Sequence, residues 1–218
     1  MSSLEDRMAA ELVECCLELH RQRLLAGADG NVSFRLDDER ILITPAGVAK
    51  RLLKLTDLAV IRLDGSVIDG KPSSEKQLHL EVYRRSPLAR AVLHAHPPTA
   101  VAWSVAHPEY TELPGECLSE LILAAGSIPL VPYARPASLE AAAAVRPYLP
   151  AHRALILARH GALTWGESLT EVLNGMERIE HSAQILKAAF ELGGLTKLPP
   201  DEIAGLRALR AALGERLL

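Results

Sequence analysis

The chain has 218 residues, is 49% hydrophobic and 23% charged, and carries a formal net charge of −3. That length and balance fit one globular domain with its own core (residues 1–218), and a near-neutral chain with scattered arginines offers no footing for nucleic acid. Three cysteines, Cys15, Cys16 and Cys117, make neither a disulfide framework nor a CxxC zinc pattern, and no apolar run approaches the ~20 residues of a membrane span.

In chain order, the N-terminal stretch "MSSLEDRMAAELVECC" lacks a basic-then-apolar targeting pattern, which places the protein in the cytoplasm with no membrane partner. Residues 4–26 read as an amphipathic helix with Gly27 at its stop. "GNVSFRLDDERILITPAG" gives two short strands joined by a polar turn, and "LAVIRLDGSVID" a hairpin at Asp64-Gly65. "KPSSE" carries helix-start chemistry, with a helix from about Glu75 to Arg85. "LARAVLHAH" is a buried strand and "PPTAVAWSVA" a helix. "SIPLVPYA" is a strand, "SLEAAAAVRPYL" a helix capped by Ser138, and "RALILARHGALTWG" two strands broken at His160-Gly161. A long helix over 168–192 ends at Gly193-Gly194, and a short one follows "LPPDE". Interleaved helices and strands with several hairpins predict an α/β fold with a mixed sheet.

His94 and His96 carry the first chemical signal. Alternate strand residues leave the same face, with Cα atoms roughly 6–7 Å apart, and two imidazoles so placed can share one ion. Two polar residues at a strand end are the plain alternative. His160 also ends an apolar strand, and the glycine after it lets the backbone turn sharply. Glu75 stands at a helix start. Three histidines and a carboxylate at element ends make a catalytic zinc site in which Glu75 can bind or leave the metal. His79, one turn after Glu75, is a competing ligand on the same face but reads first as core packing, and His20, His107, His152 and His181 as surface or interface residues.

The segments "GNVS", "ITPAG", "KPSSE", "HAHPPTA", "SIPLVPYA", "RHGALTWG" and "ERIEHSAQI", in this order and spacing, resemble the class II aldolase/adducin family. The resemblance implies a three-layer α/β/α sandwich with a mixed, largely antiparallel sheet, and a homotetramer. It implies Zn²⁺ on His94, His96 and His160, with Glu75 as the catalytic carboxylate and a further possible ligand. Other divalent transition metals suit the same donors. It implies a sugar phosphate substrate whose phosphate rests on Gly30, Asn31, Ala46, Gly47, Ser73 and Ser74, where glycines and a helix N-terminus favour an anion.

The activity so implied is reversible retro-aldol cleavage of a ketose phosphate to dihydroxyacetone phosphate and an aldehyde. Dehydration or 4-epimerisation of a sugar phosphate on the same metal is the alternative, and a non-catalytic binding module of the adducin type a more distant one. Two departures bear on this. Ala28 and Ala46 stand where the family's aldolases offer hydroxyls. The stretch "ECLSEL" (116–121) and everything after Tyr148 lack the tyrosines those aldolases use as proton donors. One of those tyrosines comes from the neighbouring subunit; Glu116, Glu120, Tyr133 and Arg135 are the candidate substitutes, with Glu116 first, an acid–base residue by analogy with the family's dehydratases. Lys50, Lys54, Lys71 and Lys76 lie in polar contexts, and the mechanism needs no Schiff base.

Overall fold

The computed structural model describes residues 4–217; the first three residues of the N-terminal stretch and the last residue of the chain lie outside the described residues. One eight-stranded sheet spans the molecule in the order β4-β3-β2-β1-β5-β8-β7-β6. Its strands are β1 (Asn31–Arg35), β2 (Arg40–Ile43), β3 (Ala59–Arg62), β4 (Val67–Asp69), β5 (Ala91–Ala95), β6 (Leu130–Val131), β7 (Ala154–Leu157) and β8 (Gly161–Gly166). Every pairing is antiparallel except β6 with β7. The mixed sheet read from the hairpin turns, and the largely antiparallel pairing the resemblance implies, are therefore present.

Helices cover both faces. On one lie α1 (Leu4–Arg21), α3 (Pro98–Ala106), α4 (Ser119–Ala124) and α6 (Leu169–Glu191), packed on Val32, Leu93, Ala162 and their neighbours. On the other lie α2 (Lys76–Arg85) and α5 (Leu139–Val145), over Ile41, Ile43, Val92 and Leu163. A last helix, α7 (Pro200–Ala212), packs against α4. Strand alternation divides the two cores: in β5, Ala91, Leu93 and Ala95 face the first and Val92 the second. Leu80 and Leu93 are fully buried, each removing about 1.5–3 kcal/mol of apolar side chain from water.

Two local expectations change. The first helix stops at Arg21, not residue 26, because the chain turns at Arg23 (φ 59°) so that Leu24 and Leu25 enter the core. The Leu24 carbonyl then accepts the His96 amide at 2.7 Å. Helix α4 begins within "ECLSEL" and runs on to Ala124; it has no side-chain cap to announce it. Ser138 does cap α5, accepting from the Ala141 amide, and Ser168 caps α6 in the same way.

Helix α3 has no cap of its own. Glu180, buried on α6, supplies one: its carboxylate accepts from Thr99 N (2.9 and 3.1 Å) and Ala100 N (3.2 Å). A charged acceptor at a helix N-terminus satisfies orphan amides and the dipole together. This is what "ERIEHSAQI" contributes, and it anchors the chain just after His96.

Candidate active site

Strand β5 delivers His94 to the α2 face of the sheet. His96 follows one residue beyond the strand, and His160 occupies the turn before β8. Glu75 is the N-cap residue of α2. The three rings meet, with centroids 4.7–5.2 Å apart. His94 Nε2 lies 3.1 Å from His96 Nε2 and 3.2 Å from Glu75 Oε2, and His160 Nε2 lies 3.4 Å from Glu75 Oε1.

The outward nitrogens are already committed. His94 Nδ1 donates to the Ala162 carbonyl at 2.9 Å, and His96 Nδ1 faces Asp29 Oδ2 at 3.4 Å. Their Nε2 lone pairs therefore point at each other and at a carboxylate, an arrangement that needs positive charge at its centre. A proton or a metal ion meets that need. Nitrogen ligands about 2.0–2.1 Å from a tetrahedral ion stand a little over 3 Å apart, so the spacing fits a divalent cation, and the partners on the far nitrogens fix each ring for it.

Electrostatics agree. Burial, then the neighbouring His94, lowers the His160 imidazole to about 4, and the same two causes lower His96. Burial alone raises the Glu75 carboxyl, but His94, His160 and Asn31 together hold it well below the carboxylate range. Glu75 is ionised, and the His96 and His160 rings are open to a metal.

The turn before β8 works differently from the expectation. Gly161 does not carry the sharp backbone; Arg159 does, at φ 60°. Gly161 is needed for space. A Cβ there would sit 2.5 Å from the Ala95 carbonyl oxygen and 2.8 Å from both His94 Cε1 and His96 Cδ2. Gly30, at φ 68°, passes the His94 carbonyl as closely, with a hypothetical Cβ at 2.8 Å.

Glu75, His96 and His160 open into a cleft of about 310 Å³ that is also lined by Gly30, Asn31, Ala46, Gly47, Ser73 and Ser74. The structure thus brings all six expected anion-binding positions beside the histidines, but not all as donors. The Ala46 amide already donates to the Lys71 carbonyl (3.0 Å), so Ala46 contributes only a wall. Neither serine caps α2; the Ser73 hydroxyl accepts from the Glu75 amide at 3.2 Å and keeps its own proton to give. Among the described residues the amides of Gly47 and Ser74 make no main-chain hydrogen bond.

The Lys50 reading is corrected, and Glu116 lies away from this chain's own cleft. Lys50 is not in a polar context: it is 1% exposed, and its ammonium donates to the Ala28 (2.9 Å) and Val48 (3.3 Å) carbonyls, tying two loops together behind the cleft. Glu116 does not line this cleft. It lies in a separate depression with both carboxylate oxygens taken, by Lys197 (2.7 Å) and Arg207 (2.8 Å). Among the described residues no tyrosine lines the cleft either. His79 is core, as expected, but polar core: fully buried and hydrogen-bonded to Ser33 and Asn31. Sequence reading missed that network, because its members come from segments 46 and 48 positions apart.

Comparison with known proteins places this geometry. The family model for the class II aldolase and adducin N-terminal domain matches residues 10–186. The chain is 31% identical to the 3-oxo-tetronate 4-phosphate decarboxylase of Escherichia coli K12, covering 95% of this chain and 98% of that one. It is 32% identical to the L-fuculose phosphate aldolase of Haemophilus influenzae, covering 91% and 92%. Among solved structures it superposes on YgbL from Klebsiella pneumoniae, described as an aldolase/epimerase/decarboxylase, with a TM-score of 0.87 at 30% identity, covering 94% and 100%.

Proposed function

Because the chain belongs to the class II aldolase and adducin family, we propose that it is a divalent-metal-dependent carbon–carbon lyase that decarboxylates a phosphorylated 3-oxo sugar acid of the 3-oxo-tetronate 4-phosphate type. The products are CO2 and dihydroxyacetone phosphate. One observation carries the reading: three imidazoles and an ionised carboxylate converge at a cleft that glycine and serine loops also line.

A cation held by His94, His96 and His160, Zn²⁺ in this reading, supplies Lewis-acid polarisation of the substrate carbonyl. The chain's own groups do the rest. Gly30, Asn31, Gly47, Ser73 and Ser74 receive the phosphate, with the N-terminus of α2 adding a favourable dipole. The bond between the carboxyl carbon and its neighbour breaks, CO2 leaves, and the electron pair stays on the neighbouring carbon. Glu75, at the mouth of the histidine cluster, hands that carbon a proton drawn from water.

The missing tyrosines favour this reaction over the retro-aldol one. A departing aldehyde must first lose its hydroxyl proton to some base, whereas a carboxylate is already ionised and needs none. Decarboxylation likewise makes no demand on Glu116; an acid–base role for that residue requires the site of a neighbouring copy in a homotetramer. Retro-aldol cleavage of a ketose phosphate is the second reading, favoured by the likeness to L-fuculose phosphate aldolase.

The test offers metal-loaded protein 3-oxo-tetronate 4-phosphate and a panel of ketose 1-phosphates. Dihydroxyacetone phosphate is common to both reactions, so its partner product decides. CO2 release supports decarboxylation, aldehyde release supports the second reading, and neither product with any substrate overturns both.

A further inference from the structure

Glu75, the N-cap of α2, is followed by His79 and Tyr83 at intervals of four on the helix, and Asn31 and Ser33 are spaced by two on β1. The two periods bring the five side chains into one file between helix and strand. Asn31 Nδ2 donates to Glu75 Oε2 at 3.0 Å. The other end of the same amide, Asn31 Oδ1, meets His79 Nε2. His79 Nδ1 lies 2.7 Å from Ser33 Oγ, which lies 2.8 Å from the Tyr83 hydroxyl. His79, Ser33, Tyr83 and Asn31 are all at most 3% exposed.

With the His79 ring neutral, one arrangement of protons satisfies this chain. An amide oxygen accepts and never donates, so His79 carries its proton on Nε2. Nδ1 then accepts from the Ser33 hydroxyl, which in turn accepts from Tyr83. Turning the Asn31 amide over sets its oxygen against the Glu75 carboxylate, a repulsive contact whichever nitrogen of His79 holds the proton, and the desolvated setting makes it costly. Burial keeps His79 neutral, lowering its imidazole to about 3, which preserves the single-proton ring this order requires.

We propose that His79, backed by Ser33 and Tyr83, is a positioning residue that locks the Asn31 amide and through it holds Oε2 of Glu75 in place for proton transfer. Neither His79 nor Tyr83 lines the cleft, so they act through Asn31 alone. The inference rests on the reading of Glu75 as the proton donor in the lyase reaction.

The test compares His79→Gln, whose amide nitrogen can replace Nε2 as donor to Asn31, with His79→Asn, which reaches only toward Ser33. Tyr83→Phe, at the far end of the file, is the third variant. With metal-loaded enzyme, His79→Asn is expected to lower kcat about 10²-fold at unchanged KM, the size of effect a misplaced catalytic group produces. His79→Gln recovers most of that loss. Tyr83→Phe lowers kcat less than His79→Asn even where it lowers Tm as much. A raised KM with kcat intact, or kcat losses that simply follow Tm, overturns the proposal. Two readouts do not depend on turnover. Nitrogen-15 NMR of the metal-free protein is expected to find His79 in the Nε2–H tautomer, and a crystal structure of His79→Asn to show Glu75 displaced. The opposite tautomer or an unmoved Glu75 overturns the positioning role even in an active lyase. Absence of all lyase activity beside a displaced Glu75 counts against the proposed reaction instead.

Discussion

The Nε2 atoms of His94 and His96 lie 3.1 Å apart while their Nδ1 atoms are engaged by the Ala162 carbonyl and the Asp29 carboxylate. The pair is a held-open socket for positive charge. Purified protein is expected to bind one divalent transition metal per chain by elemental analysis and titration calorimetry. His94→Ala abolishes this. Affinity falls as pH drops, because protons compete for the same lone pairs. A protein that binds no metal at neutral pH contradicts the site.

Gly161→Ala drives a methyl group against the Ala95 carbonyl and both ligand rings. Backbone cannot yield as a flexible side chain does, so the cost is about 1–3 kcal/mol of stability. Calorimetry checks that figure. Metal content is expected to fall further than global stability does, since the rings of His94 and His96 take the displacement. Unchanged metal affinity contradicts the steric account.

Glu75→Gln keeps the size of the side chain and its ability to accept from Asn31 Nδ2, but removes proton transfer. Turnover is expected to drop by about 10²–10⁴-fold while the three histidines still retain metal. Steady-state kinetics on metal-analysed protein tests this, and wild-type turnover in the variant rules Glu75 out as the proton donor.

Glu116→Gln is expected to leave decarboxylation intact, because Glu116 is engaged by Lys197 and Arg207 away from the cleft. Should turnover be lost and then partly return on co-assembly with His94→Ala chains, Glu116 serves a neighbouring copy's site instead.

Metal-free protein is expected to lose stability steadily as pH falls from 7 to 4. Burial lowers His79 from 6.5 to about 3, and burial with the nearby His94 lowers His160 to about 4. Below 6.5 the unfolded chain takes up protons that the folded one refuses, so unfolding becomes easier as acidity rises. The lowered Glu75 adds in the same direction below its unfolded value of 4.5. A Tm flat across this window contradicts the burial of neutral His79.

What the sequence revealed follows from physics local to each segment. His94 and His96 were legible because strand parity is a two-residue rule, and Glu75 because helix starts have their own chemistry. The role of Gly161 was not legible, since the rings it makes room for approach from another strand. Lys50 could not be read as buried, because the carbonyls that hold it belong to loops whose meeting is a tertiary event. The Ala46 amide is lost to Lys71 for the same reason. The His79 file was hidden too: each residue taken alone is an ordinary polar residue, and only the packing of α2 on β1 aligns them.

Asn31 and His94 are register partners on β1 and β5, so on the proposed reading strand spacing, about 4.7–4.9 Å, sets the Asn31 end of the anion site against the first metal ligand. The sheet acts as a ruler. On the proposed reading, it measures the stretch of substrate from carbonyl to phosphate and leaves the departing end unmeasured. Relatives built on the same sheet can then exchange one leaving fragment for another without rebuilding the half of the molecule that does the gauging.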